Sequence, residues 1–321
     1  MQVGGAPLYP ELADFHFPDG NATIARLLVN RLAPAAFGGS LFSPEEIITQ
    51  RVNYQALDLP ASPTRIRLDS TAIRVEHIGS AQKAEGVRVV YIRQGKRMQV
   101  KATSVILACF NNVIPFIVPT LPQEQKTALH YASKVPMIYT NVLIRNWEAW
   151  KKLKVGSIHS PTAYHTDMFL DVPVSMGKYK CPTDPAQPIL VHLEGNPNSP
   201  GLPRRDQNRA GRAQMLAMPF EVIERDIRSH MGRALSAGGF DPAGDILAIT
   251  ANRWPHGYAY TYDSVGDPEM PDDERPHIVG RRHFGRIAIA NADSGAAAYT
   301  NVAIDQAHRA VQETLISLGL T

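Results

Sequence analysis

The last stretch of the 321-residue chain carries its most specific chemical pattern. A short apolar strand, Arg286 to Ala290, runs into Asn291-Ala292-Asp293-Ser294-Gly295. A small-residue turn with Tyr299-Thr300-Asn301 follows, then a helix with Ile304, Ala307, Val311, Leu315 and Leu318 on one face. Strand, polar turn and helix in that order aim backbone N–H groups and the positive end of a helix dipole beyond the strand tip. A phosphate, or negative charge on a reduced ring, is stabilised there. Ala296, Ala297, Ala298, Ala303 and Ala307 let a flat ligand or a second backbone come close. An ordinary strand-to-helix connection capped by Asn301 has the same pattern, and periodicity leaves both readings open.

Other side chains carry weaker signals. After Trp254, the residues Tyr258, Tyr260 and Tyr262 alternate, so a strand would present three phenols on one face. Such a face is either core packing or an aromatic wall for an alkylammonium group, worth about 0.5 to 2 kcal/mol per ring. His256, between Pro255 and Gly257, is a base or substrate contact on one reading and a plain loop histidine on the other. His192 and Glu194 sit two apart in a strand and read more readily as a solvated face than as a polyamine contact. His159, His165 and Asp167 lack metal-ligand spacing, so no metal is expected. Arg204, Arg205, Arg209 and Arg212 read as a solvated loop. Cys109 and Cys181 form no CxxC pair and read as one buried thiol and one incidental one.

These residues need elements to hold them. Ile24, Leu27, Leu28 and Leu32 form one stripe after Asp19-Gly20-Asn21, which predicts a helix over 21 to 32. Alternation over 65 to 78 predicts strands. Val- and Tyr-rich 86 to 93, the Gln94-Gly95 turn and 97 to 102 predict a hairpin. Ser104 to Cys109 is apolar on both faces, as a strand covered on both sides would be. A helix over 123 to 133 leads into a strand over 135 to 144, and Ile189 to Glu194 is a further strand. Phe220, Ile223, Ile227, Met231 and Leu235 mark a helix stopped by Gly238-Gly239. The loop-rich 156 to 203 reads as a lid or substrate-covering region.

Composition bounds the class. With 44% hydrophobic and 20% charged residues the chain is globular. Thirty-three basic against thirty acidic residues, evenly spread, set a nucleic-acid partner aside. No apolar run reaches the ~18 residues of a transmembrane helix. Met1 to Pro10 has neither the basic leader nor the apolar core of a signal peptide, and the compartment stays open.

The run GRIAIANADSGAAAYTNVAIDQAHRAV resembles the C-terminal flavin-binding motif of the FAD-dependent amine oxidase family, with its spermidine dehydrogenase branch the nearest. FHFPDGNATIARLL is similar to that family's turn before a substrate-selecting helix, and RIRLDSTAIRVEHI to its adenine-side strands. VRVVYIRQGKRMQVKATSVILAC is similar to its hairpin and buried strand, and ITANRWPHGYAYTYDS to its aromatic segment beside the flavin. The resemblance covers most of 15 to 147 and 248 to 318.

It implies an α/β fold: a partial, Rossmann-like FAD-binding domain of amine oxidase type lacking its N-terminal βαβ unit. A substrate domain of mixed β-sheet and helices is inserted. The implied boundaries are 1 to 118 and 257 to 321 for the flavin part and 119 to 256 for the substrate part. The resemblance places Asp293 near the ribityl and pyrophosphate groups and the backbone of Thr300 to Ala303 at ring N1 and O2, with Tyr299 beside them. Ala72 and Ala108 fall on the cofactor side, and Trp254 and Pro255 pack by the isoalloxazine. Trp254, His256, Tyr258 and Tyr260 would meet the substrate. The lysine that many amine oxidases hold near flavin N5 has no counterpart here: Thr140 or Asn141 stands near that place, and no catalytic lysine is assigned.

The implied activity is oxidation of an amine, a polyamine such as spermidine being the best expectation, by hydride transfer to N5 and hydrolysis of the imine. Haem b enters by resemblance only, as does a periplasmic location, and the electron acceptor is open. No G-x-G-x-x-G turn follows a strand in the sequence, so the pyrophosphate lacks its usual cradle. The chain is therefore expected to be the C-terminal half of a longer enzyme, to need that missing half as its partner, and to be inactive alone. The rival expectations are another FAD-dependent oxidase or desaturase and a non-catalytic remnant.

Overall fold

The computed structural model describes residues 2–3, 6–7, 16–263 and 265–320. Most of Met1 to Pro10, read above for export signals, lies outside them. Along the chain run helix α1 (Ala22–Leu32), strands β1 (Ser70–Ile78), β2 (Gly86–Arg93), β3 (Lys96–Ala102) and β4 (Val105–Leu107), and helix α2 (Gln123–Tyr131). Strands β5 (Met137–Ile144), β6 (Ser157–His159), β7 (Asp167–Leu170) and β8 (Ile189–Gly195) come next. Helices α3 (Arg204–Ala217) and α4 (Phe220–Leu235), strands β9 (Ile246–Trp254) and β10 (Ile287–Ile289) and helix α5 (Thr300–Ser317) complete the order. No described helix is long and apolar enough to cross a membrane.

The chain forms two compact units. One comprises Met1–Ile66 and Pro136–His256, the other Arg67–Val135 and Gly257–Thr321. Residues 16 to 66 thus group with the middle of the chain rather than with 67 to 118, and 119 to 135 group with 67 to 118 and 257 to 320 rather than with the middle. Contacts explain the first difference: Gly177 packs on the Glu45 backbone, and Val174 N–H donates to His16 O. Helix α2 explains the second, since Gln125 donates to the carbonyls of Gly280 and Arg282.

The first unit is built on a five-stranded antiparallel sheet in the order β9-β5-β8-β7-β6. Period-two alternation sorts its side chains. Ile138, Thr140, Val142 and Ile144 of β5, Val191 and Leu193 of β8 and Met168 of β7 are all fully buried on one face, in the core shared with α4. Helix α4 contributes Ile223, Ile227, Met231 and Leu235, each with no exposed surface. At roughly 1.5 to 3 kcal/mol per fully buried aliphatic side chain, this stripe is the main force seating the helix. The opposite face carries Tyr139, Asn141, His192, Glu194, Asp167 and Phe169, which the register places side by side.

The second unit has a three-stranded antiparallel sheet, β1-β2-β3, and a parallel pair, β4 with β10. Gln94 and Gly95 both adopt positive φ, 51° and 71°, as a tight hairpin turn of the primed type requires. Parallel β4 and β10 bury Leu107, Ile287 and Ile289 against Ile114, Val118 and Leu129.

Three expectations are corrected. Residues 65 to 69 are not a strand: Asp69 is left-handed at φ 50°, which breaks extension, and β1 begins at Ser70. The four arginines from Arg204 lie on or beside a helix rather than a loop, because Asn208, Gly211 and Met215 give it a buried stripe. Residues 258 to 262 form no strand. Gly257 N–H donates to Val135 O, Tyr260 packs edge-on to Tyr131 with ring centroids 5.8 Å apart, and Tyr262 donates to Pro268 O, so the three phenols share no pleated face.

Burial holds the imidazoles of His77, His277 and His283 in one unit, and of His230 in the other, below the ordinary value of 6.5. The folded state therefore binds fewer protons than the unfolded chain as pH drops below 6.5, and stability present above that value is lost as pH falls through the depressed values. The thermal unfolding midpoint is expected to fall between about pH 7.5 and about pH 5.5, and calorimetry across that window checks the sign.

Candidate functional site

Two parallel strands ending side by side leave a crevice beyond their carboxyl ends, where α/β proteins place ligands. Here the strands are β4 and β10, and the residues beyond their tips are Ala108 to Asn111 and Asn291 to Gly295. Asn291 ties the two tips together. Its amide nitrogen donates to Cys109 O and to Asn111 Oδ1 at 2.9 Å, and its Oδ1 accepts from Ser294 N–H at 2.8 Å and Ser294 Oγ at 3.0 Å. Asp293 is thereby turned inward, its side chain 1% exposed. Asn111 N–H donates to Asp293 Oδ2 at 3.1 Å, and Lys134 Nζ lies 2.9 Å from Oδ1. Lys134 also rests 4.6 Å above the Phe110 ring. Burial, with the Asp293 carboxylate beside it, pushes the Cys109 thiol up, which disfavours its thiolate form.

Ala296 is left-handed at φ 50° and turns the chain toward α5. Gly295 has to be glycine, because a Cβ there would stand 2.3 Å from Val302 Cγ1 in the first turn of that helix. No side chain caps α5 at Tyr299, so its first N–H groups carry the positive end of an 18-residue dipole. Arg281 donates to Ser294 O at 2.8 Å and to Gln306 Oε1 at 3.2 Å, holding turn and helix together.

In this unit the structure gathers Asp293, Tyr299, Thr300 and Ala303 onto one strand-turn-helix device, and Ala108 lies just beyond the neighbouring strand β4. Tyr299 is exposed, Thr300 opens α5 and Ala303 is half-buried in its first turn. Ala72 is exposed on β1, in the separate three-stranded sheet. Tyr258 is exposed and Tyr260 is buried against Tyr131.

Trp254, Pro255 and His256 belong to the other unit. Trp254 closes β9, 55% exposed, Pro255 O accepts from Arg212 Nε at 2.7 Å, and His256 is exposed. Within that unit the sheet separates the two residues read near the lysine position. Thr140 lies on the helix-covered face, its Oγ1 2.9 Å from the buried His165 Nε2, whereas Asn141 lies on the opposite face with its Oδ1 2.7 Å from His192 Nδ1. His192 is not on a solvated strand face, being only 6% exposed, because the rings of Tyr139 and Phe169 cover it at 3.9 and 5.2 Å.

Sequence reasoning passed over Lys134 and Asn111. A polar residue just beyond a buried parallel strand marks Asn111. Lys134 carries no local signal, since its partner is 159 positions away, as 293 minus 134.

No family model and no curated protein sequence matches the chain. Solved structures do match. Putrescine oxidase, in its wild type bound to putrescine, is 17% identical with a TM-score of 0.53; the match covers 77% of this chain and 48% of that one. Cyclohexylamine oxidase from Brevibacterium oxydans IH-35A is 14% identical with a TM-score of 0.51, again covering 77% of this chain and 48% of that one. The fold is that of amine oxidases. At this identity the likeness is one of fold alone, and the chain spans about half the length of the structures it matches.

The Lys134–Asp293 pair makes a testable demand. Lys134→Met leaves a buried carboxylate without a counter-charge and is expected to cost about 3 kcal/mol or more, whereas Asp293→Asn, which removes the charge and keeps the shape, should cost distinctly less. Urea unfolding of both variants measures the difference, and equal losses would show that the pair is solvated.

Proposed function

We propose that the chain supplies the ring-facing and substrate-facing parts of an FAD-dependent amine oxidoreductase, with a polyamine such as spermidine as substrate. One observation carries the reading: a buried carboxylate beyond two parallel strand tips, followed directly by an uncapped helix N-terminus, in a fold shared with amine oxidases. The residues fit the ribityl and ring end of the cofactor. Asp293 is an acceptor for a ribityl hydroxyl, and the positive end of the α5 dipole suits the negative charge of a reduced ring. The sequence has no glycine-rich strand-to-helix turn for the pyrophosphate, so the fit is partial and weak FAD binding by this chain alone follows.

When bound, FAD supplies the hydride acceptor. The chain's own residues do the rest. Tyr258, in the same unit as Asp293, offers an aromatic surface to an alkylammonium group. The alanines after Gly295 let a flat group approach α5. The amine must be uncharged at its reacting nitrogen before hydride leaves the adjacent carbon, so a proton acceptor is required in the substrate-facing part.

Titrating the chain with FAD while following tryptophan fluorescence tests the cofactor reading. Weak saturable binding is expected, and Asp293→Ala should raise Kd about tenfold or more, as loss of a hydrogen bond to a charged group does. Anaerobic spermidine should then bleach the oxidised flavin band. Bleaching by apolar polyenes and not by amines would move the protein to another flavin oxidase or desaturase. No FAD binding at all would favour a non-catalytic binding module, the reading that the absent glycine-rich turn supports.

A further inference from the structure

His192 sits among ring faces in the five-stranded sheet with an unanswered nitrogen. Its Nδ1 is 2.7 Å from Asn141 Oδ1, an acceptor, so Nδ1 carries the hydrogen. The neutral ring then has its lone pair on Nε2. That atom is buried without a hydrogen-bond partner, and the nearest charged atom is Glu194 Oε1 at 3.5 Å. Two acceptors face each other, which explains why no hydrogen bond closes the gap. A single proton between them would turn this repulsion into an imidazolium–carboxylate pair.

Glu194 is the reachable partner, its side chain 28% exposed against 8% for His192. Other charged groups on this face leave the role to this pair. Asp167 of β7, opposite Glu194, is engaged by His159 at 2.7 Å and Thr166 at 2.8 Å, and Asn252 of β9 is uncharged.

We propose that Glu194 binds an ammonium group of the substrate and that His192 stores the proton it gives up. The step balances. An N–H bond of the alkylammonium breaks, its proton passes through the Glu194 carboxylate and forms an N–H bond at His192 Nε2, and the products are a neutral amine, a carboxylate and an imidazolium. Glu194 touches the substrate; His192 acts through Glu194, and Asn141 positions His192 by fixing its tautomer. The inference rests on the amine reading above and adds the residues that neutralise the amine.

The test uses the full chain with 13C-labelled histidine at about pH 8, above the ordinary imidazole range, with putrescine as probe and its bis-quaternary hexamethyl derivative as a control without a transferable proton. Saturation with putrescine should move the His192 ring-carbon signal to the imidazolium position, and the quaternary control should leave it in place. Glu194→Gln should weaken putrescine binding about tenfold or more. Asn141→Ala should keep binding and lose the shift, and Asn141→Asp, which restores an acceptor, should recover it. The wild-type signal alone decides the matter if a variant fails to fold. Putrescine binding with His192 still neutral overturns this inference and leaves the amine reading intact. A chain that binds FAD but no amine, with no bleaching by any amine, overturns both.

Discussion

A carboxylate almost out of water dictates the arrangement at the tips of β4 and β10. Asp293 is 1% exposed, and a lone buried charge of that kind would be costly to keep ionised. It is met on one side by a peptide N–H from the segment after β4 and on the other by Lys134. Both partners come from chain far from Asp293 in sequence, so the turn can form only once the parallel pair is in register. Asn291 enforces that register, bonding across the tips to Cys109 and Asn111. Such a pair contributes little net stability against apolar side chains of the same volume. What it contributes is position: the turn, the left-handed Ala296 and the start of α5 are held where they are by where the charge must be.

The other unit follows a different rule, alternation along strands. In β5 a shift of one residue would exchange Thr140 for Asn141 and move every apolar side chain off the α4 core. The covered face is not wholly apolar. Tyr164, His165, Asp226, His230 and Arg253 each have a buried polar atom without a hydrogen-bond partner. His165 pulls the Asp226 carboxyl below its ordinary value against burial. The aliphatic stripe of α4 covers this face, while alternation reserves the opposite one for Tyr139, Asn141, His192 and Glu194.

Local pattern made some of this legible in the sequence. The α4 stripe, the Gln94-Gly95 hairpin and the strand-turn-helix around Asp293 are each specified by residues within a few positions, and the structure has all three. What failed was long-range. Alternating tyrosines after Trp254 carry the period of a strand, but their neighbours Pro255 and Gly257 send backbone groups elsewhere, and Tyr260 finds Tyr131 instead of a sheet. The arginines of α3 hid a helix whose only buried stripe is Asn208, Gly211 and Met215, none strongly hydrophobic in sequence except the last. Lys134 was unreadable for the same reason: it is defined by a partner that only folding brings near.

His192 shows how burial changes the meaning of a residue that sequence treats as ordinary. An imidazole beside a carboxylate on a wet strand would simply be screened, and its tautomer would be free. Enclosed by Tyr139 and Phe169, with its Nδ1 committed to Asn141, the ring has one available site and one charged neighbour. Replacing Asn141 by a lysine would set an ammonium donor against Nδ1, favour the lone pair there and place the hydrogen on Nε2. Glu194 would then face a donor instead of an acceptor. The acceptor that Asn141 offers thus decides which imidazole nitrogen can receive a proton.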